Sequence, residues 1–174
     1  MIFRKAAEDD LAAISKIYAA VHTAEECGKT STGWVRNVYP TDETAADALQ
    51  RGDLFVAADD HGIVGTAIIN QMQPDAYKDG HWEYDVPDDE IMVLHTLVID
   101  PIHTGKGYGK SFALFYEQVA LSQGCRFLRI DTQEKNVNAR AMYKKLGYKE
   151  IGTVPCVFNG IEGVQLVLLE KTVP

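Results

Sequence analysis

Two hydrophobic periodicities alternate along the chain, and their order predicts the elements. Residues 2–4 form a short strand, after which Glu8, Asp9 and Asp10 place carboxylates where a helix start favours them. Leu11, Ile14, Tyr18 and Val21 recur at helical spacing and carry a first helix to about His22. Residues 27–34 are polar and glycine-bearing, hence a loop, and Thr41 caps a second helix that ends near Gly52. Residues 54–58 and 63–71 read as strands joined by Asp59-Asp60-His61-Gly62. A loop rich in proline, aspartate and aromatics fills 73–90, too long to be idle in a compact domain. The apolar run 91–99 is a central strand, followed by a helix from Lys106 to about Gln123, a strand over 126–131 and a helix over 136–146. A terminal hairpin pairs 150–158 with 164–170 about Asn159-Gly160, and Pro155 marks a bulge or outer position there.

The junction between the central strand and the third helix carries the strongest chemical signal. Thr104-Gly105-Lys106-Gly107-Tyr108-Gly109-Lys110-Ser111 places three alternating glycines before an amphipathic helix. Glycine reaches positive φ and admits a ligand close to the backbone, while the helix start offers unpaired N–H donors and a positive dipole end. Such a loop attracts phosphate, and Lys106 and Lys110 add positive charge. The ending Gly109-Lys110-Ser111 resembles a Walker A motif, but Thr104 stands where that motif needs its first glycine.

The loop instead resembles the acetyl-CoA loop of the GCN5-related N-acetyltransferases, Gln/Arg-x-x-Gly-x-Gly/Ala after an apolar strand, with Thr104 replacing the long first side chain. A second segment, Asn136 to Tyr148, is similar to that family's Asn-x-x-Ala-x-x-x-Tyr-x-Lys-x-Gly-aromatic motif through Asn136, Ala139, Tyr143, Lys145, Gly147 and Tyr148. The two motifs occur in the family's order and with the elements between them cover residues 91–148. The resemblance implies an α/β (α+β) fold over 1–174 as a single domain: a mixed, mostly antiparallel sheet of six to seven strands, flanked by about four helices and splayed between the fourth and fifth strands. It further implies that acetyl-CoA contacts the backbone of Leu97, Val98 and Ile99 in the splay, the loop from Thr104 to Ser111, and Asn136, Ala139 and Tyr143.

Acetyl transfer to an amine requires a neutral amine, a donor for the developing oxyanion and an acid for the departing thiolate. Tyr143 stands at the family's tyrosine position, which implies the acid. For the base the chain offers His95, with Glu90 as runner-up and the loop carboxylates Glu83, Asp85, Asp88 and Asp89 behind them. Leu94-His95-Thr96-Leu97 resembles a Leu-His-Ala-Leu segment of serotonin N-acetyltransferase, although Val93 removes the first of that protein's paired histidines. An imidazole near neutral pH suits proton uptake, yet a lone histidine on an apolar strand is equally often a hydrogen-bonded core residue. The family's amine pocket, formed by the connection between the first two helices and loops beside the fourth strand, implicates Trp34, Tyr39, Trp82 and Glu83.

Composition narrows the alternatives. With 46% hydrophobic and 24% charged residues, the 174-residue chain has ordinary globular composition. No apolar run approaches the roughly 18 residues of a bilayer span and the N-terminus lacks a signal-peptide core, so a cytoplasmic protein without membrane contact is expected. Three widely spaced cysteines suit reduced thiols, and five histidines without ligand spacing predict no metal. Residues 1–90 hold 18 acidic against 7 basic side chains and residues 91–174 hold 7 against 10. The basic half suits a polyanionic cofactor; the acidic half attracts a cationic amine and repels nucleic acid. An N-acetyltransferase acting on a small-molecule or protein amine by direct transfer, as monomer or homodimer, is the reading. A catalytically silent acyl-CoA sensor is its alternative.

Overall fold

The computed structural model describes all residues 1–174. Seven strands form one sheet: β1 (Ile2–Lys5), β2 (Leu54–Asp59), β3 (Gly62–Asn70), β4 (Ile91–Ile99), β5 (Phe127–Gln133), β6 (Lys149–Phe158) and β7 (Ile161–Thr172). They lie in the order β1-β2-β3-β4-β5-β7-β6. Every neighbouring pair is antiparallel except β4 and β5. Four helices cover it: α1 (Leu11–Glu26), α2 (Asp42–Arg51), α3 (Tyr108–Ser122) and α4 (Val137–Lys145). The mixed, mostly antiparallel architecture agrees with the sequence expectation.

The alternation along β4 divides the core. Met92 and Leu94 pack with Phe112 and Tyr116 of α3, whereas Ile91 and Val93 pack with Tyr77, Leu166 and Leu168 on the opposite face. β4 and β5 share a ladder only from Ile91↔Phe127 to Leu94↔Ile130. Tyr116 reinforces this closed half, its hydroxyl donating to the Met92 carbonyl at 2.6 Å and lying 3.2 Å from that of Arg129. Beyond Leu94 the two strands part, and the segment from His95 to Ile99 has a strand partner on the β3 side alone.

Thr96 marks the fork. The β3–β4 register shifts between Thr66 and Ile68, and Thr96 takes φ 49°. A β-branched residue in the left-handed region costs on the order of 1–3 kcal/mol, so its surroundings must hold it. Tyr39, from the α1–α2 connection, hydrogen-bonds its hydroxyl to Thr96 Oγ1. The bulge also changes which face later residues occupy: Leu97 and Ile99 pack toward α3, and Val98 lies beneath α1 and α2.

Element ends deviate locally from the sequence expectation. α1 runs on to Glu26, and α3 begins at Tyr108 because Gly107, at φ 80°, is its N-cap. The terminal hairpin is tighter than expected, with β7 starting at Ile161 behind Asn159 and Gly160, both at positive φ. Pro155 falls on the outermost strand β6, where a missing N–H is tolerated. The long loop 73–90 contains two 3-10 turns, Asp75–Asp79 and Asp88–Glu90.

Candidate active site

The fork opens at one end onto the start of α3. Gly105 and Gly107 have φ 83° and 80°, and no heavy atom lies within 4 Å of where either Cβ would be. The N–H groups of Gly105, Gly107, Tyr108, Gly109 and Lys110 find no acceptor within the protein, leaving a cluster of donors at a helix N-terminus. Gly109 lets α3 approach α4, where an added Cβ would already stand 3.4 Å from Met142 Sδ. Lys106 and Lys110 are exposed beside these donors. Asn136 caps α4, its side chain accepting from the Ala139 N–H at 3.3 Å. α4 brings Tyr143 to the fork.

A cavity of about 130 Å³ occupies the fork, lined by Leu94 to Leu97 of β4, Asp131 to Gln133 of β5, Asn136, Ala139 and Tyr143. Trp34 and Tyr39 close it from the α1–α2 connection, with Pro74 and the hairpin residues Phe158 and Ile161 beside them. Trp34 and Tyr39 meet edge to face, ring centroids 6.1 Å apart. A carboxylate shapes their connection: Glu25 accepts from the Thr30 and Thr32 hydroxyls and from the N–H groups of Thr32 and Gly33, at 2.8–3.0 Å. Gln133 Nε2 donates to the Gly33 carbonyl at 3.1 Å, tying that connection to β5.

Of the four titratable side chains that line the cavity, Tyr143, His95 and Asp131 have distinct environments. Tyr143 is buried, yet its hydroxyl makes no hydrogen bond in the protein and is not among the polar atoms sealed from solvent, so it opens into the fork. Burial, and secondarily the Asp131 charge, raises its pKa and keeps it protonated. Asn70 Oδ1 accepts from the Met72 N–H and lies 2.9 Å from His95 Nε2, while its amide donates to Asp53. This arrangement makes His95 Nε2 the protonated nitrogen. Burial lowers the His95 pKa to about 4, against the opposing pull of Asp53 and a Met72 backbone hydrogen bond. The ring is uncharged at neutral pH and holds a proton weakly, so the environment argues against the base role that the sequence suggested for it.

Asp131 behaves oppositely. The Tyr77 hydroxyl donates to its Oδ2 at 2.8 Å, and no cation lies beside it. Burial raises its pKa to about 7, with the Tyr77 hydrogen bond opposing the rise. Sequence reasoning missed this residue because an acid closing an apolar strand carries no motif; the signal was its place opposite His95, which only the strand pairing reveals.

The other expected residues do not reach the fork. Glu90 lies in the 3-10 turn before β4 and is exposed, about 16 Å along the strand from His95 by strand rise. Asp85, Asp88 and Asp89 are likewise exposed around that turn. Trp82 instead stacks under the Arg129 guanidinium at 3.9 Å and donates Nε1–H to the Tyr77 carbonyl. Glu83 pairs with Lys149 at 3.0 Å on the surface. Charge pairing and stacking thus draw the middle of the long loop over β5 and the β6–β7 hairpin, away from the fork.

The family model described as the Acetyltransferase (GNAT) family matches residues 13–148. The chain belongs to the GNAT acetyltransferase family. Its fold is similar to that of a GNAT acetyltransferase from Streptococcus agalactiae, at 23% identity and TM-score 0.82, with 99% of this chain and 95% of that one covered. It is also similar to a ribosomal-protein-alanine N-acetyltransferase from Brucella melitensis, at 17% identity and TM-score 0.73, covering 99% and 100%. A third similar structure is that of yncA from Salmonella typhimurium with its cofactor acetyl-CoA, at 17% identity and TM-score 0.72, covering 100% and 94%. Among curated proteins none matches the sequence.

GNAT enzymes use acetyl-CoA, and the residues of this chain fit it. The open glycine positions and unpartnered N–H groups at the start of α3 suit a pyrophosphate, and Lys106 and Lys110 supply charge. The narrow fork with one unpaired strand side suits a linear amide-bearing arm. No helix is long and apolar enough to cross a membrane.

Proposed function

We propose that this GNAT acetyltransferase moves an acetyl group directly from acetyl-CoA to a primary amine, of a small molecule or an exposed protein amine, with residues 1–174 acting as one domain. The observation that carries the reading is the fork itself. Its free β4 backbone runs from the donor cluster of α3 to a cavity that holds an unpartnered tyrosine hydroxyl and a carboxylate.

Acetyl-CoA supplies an activated acyl thioester. Gly105 to Lys110 hold its phosphates through backbone N–H groups, with Asn136 and Ala139 beside the arm. The unpaired main chain of Leu97, Val98 and Ile99 orients the arm and offers donors where negative charge develops on the acyl oxygen. Tyr143, protonated throughout the working range, hydrogen-bonds to the departing sulfur and donates its proton to it. Trp34 and Tyr39 form the acceptor side of the cavity, where aromatic faces suit an ammonium or an apolar body. Three free cysteines are compatible with a cytoplasmic setting.

A panel of primary amines tests this reading. With acetyl-CoA present, release of free CoA that depends on the amine, together with a one-acetyl mass gain in that amine, is the expected result. Acetyl-CoA that stabilises the protein while no amine is modified would favour the silent acyl-CoA sensor instead.

A further inference from the structure

We propose that Asp131 meets the ammonium group of the acceptor and takes its proton, a role that rests on the acetyl-transfer reading above. The β4–β5 ladder ends at Leu94↔Ile130, so His95 and Asp131 are the first residues to face one another across the open fork. They share a face of the sheet. Ile91 and Val93 of β4 and Phe127 of β5 pack together opposite α3, and alternation places His95 and Asp131 on that side, toward Trp34 and Tyr39. Tyr143 approaches from α4. Asp131 therefore stands at the branch point, with the acid on one side and the aromatic acceptor walls on the other.

Its two oxygens are unequal. Oδ2 is held by the Tyr77 hydroxyl, while Oδ1 has no donor in the protein and is not sealed from solvent. Around the carboxyl stand Tyr77 from the first 3-10 turn of the long loop, Tyr39 from the α1–α2 connection, Tyr143 from α4 and Cys156 from β6. His95 faces it from β4. All five are uncharged at neutral pH, and the lining of the cavity contains neither lysine nor arginine. A half-buried carboxylate without a countercharge is costly, and an incoming ammonium supplies one.

The proton balance follows. Ionised Asp131 takes one proton from R–NH3+, becoming a carboxylic acid and leaving neutral R–NH2. The nitrogen bonds to the acyl carbon and the carbon–sulfur bond breaks. The thiolate takes the Tyr143 proton, the tyrosinate recovers one from the nitrogen, and Asp131 returns its own to solvent. The sum is an acetamide, free CoA thiol and one released proton. The same absence of cations selects among amines, since a carboxylate on the acceptor would lie near Asp131 with nothing to offset it.

Asp131→Asn, which keeps the size and the Tyr77 bond, tests the proposal. Calorimetry should find acetyl-CoA affinity unchanged. For the best amine of the panel, kcat/KM should fall roughly a hundred- to ten-thousandfold and lose an acidic limb near pH 7. Carboxyl 13C NMR gives a readout independent of turnover: one aspartate resonance titrates near neutrality in the native protein and is absent from the variant. In Tyr77→Phe, loss of a hydrogen bond to the ionised form should move both the limb and the resonance to higher pH. Adding an α-carboxylate to the preferred amine should cost about a hundredfold in kcat/KM. An Asp131→Asn enzyme with the native acidic limb, or a native protein with no such resonance, overturns the role of Asp131 while acetylation stands. A native enzyme that binds acetyl-CoA and modifies no amine overturns the acetyl-transfer reading and this role with it.

Discussion

Asp131 should make the native protein lose stability as pH rises, the reverse of the usual behaviour of an ion-paired aspartate. Its pKa moves from 3.8 to about 7 on folding. Between those values the unfolded chain is ionised while the folded one holds the proton, so the unfolded state binds fewer protons and folding stability falls with pH. Below pH 3.8 both states are protonated and the residue contributes no slope. Above about 7 both are ionised and the full cost is present. At about 1.4 kcal/mol per unit, the shift amounts to about 4 kcal/mol. Asp131 keeps a small water-accessible face at the cavity, which screens the charge and brings the expected cost to about 2–4 kcal/mol. Asparagine carries no such charge. Urea unfolding of both proteins at pH 5 and pH 8.5 isolates the effect, since other groups titrate alike in the two. Roughly 1.5 kcal/mol of the cost is already present at pH 5, so Asp131→Asn should gain about 0.5–2.5 kcal/mol on the native protein across the interval. Parallel pH dependences would refute both the half-buried, uncompensated carboxylate and the argument built on it.

Acetyl-CoA at a hundredfold excess over its Kd should stabilise the native protein by about 2.7 kcal/mol. Gly107→Val should abolish that gain in a thermal-shift assay, because φ 80° opposes a branched residue and the side chain would fill the space at the donor cluster. Tyr143→Phe should leave acetyl-CoA affinity nearly unchanged while turnover drops roughly a hundred- to ten-thousandfold; undiminished turnover would reduce Tyr143 to a packing residue. His95→Gln should retain the acidic limb of the rate profile, since a ring with a pKa near 4 does not produce it; loss of the limb would return the base role to His95. Glu170→Ala should destabilise the fold by about 3–5 kcal/mol in urea unfolding, leaving the buried Arg129 without the carboxylate 3.6 Å away.

What was legible in the sequence was what is local. The glycine loop, the Thr41 cap and the hairpin turn at Asn159-Gly160 each lie in a few consecutive residues whose backbone needs have a residue signature. Sheet register is not local. Asp131 acquires its place from where a parallel ladder stops, and neither strand records that stop in its hydrophobic pattern. The long loop failed for a related reason. Trp82 and Glu83 offered suitable chemistry for an amine pocket, but Arg129 and Lys149, far along the chain, draw them elsewhere. Trp34 and Tyr39 reached the cavity because their connection is held by Glu25 and Gln133.

The parting of β4 from β5 creates a sheet edge in the middle of the molecule instead of at its rim. Unpaired strand backbone normally invites another polypeptide, and with it aggregation. Here β5, α4 and the α1–α2 connection crowd the opening. The fork therefore keeps the hydrogen-bonding capacity of a strand in the interior of the molecule, and on the acetyl-transfer reading the sheet would be completed there by an arm of amides, a segment that is not protein.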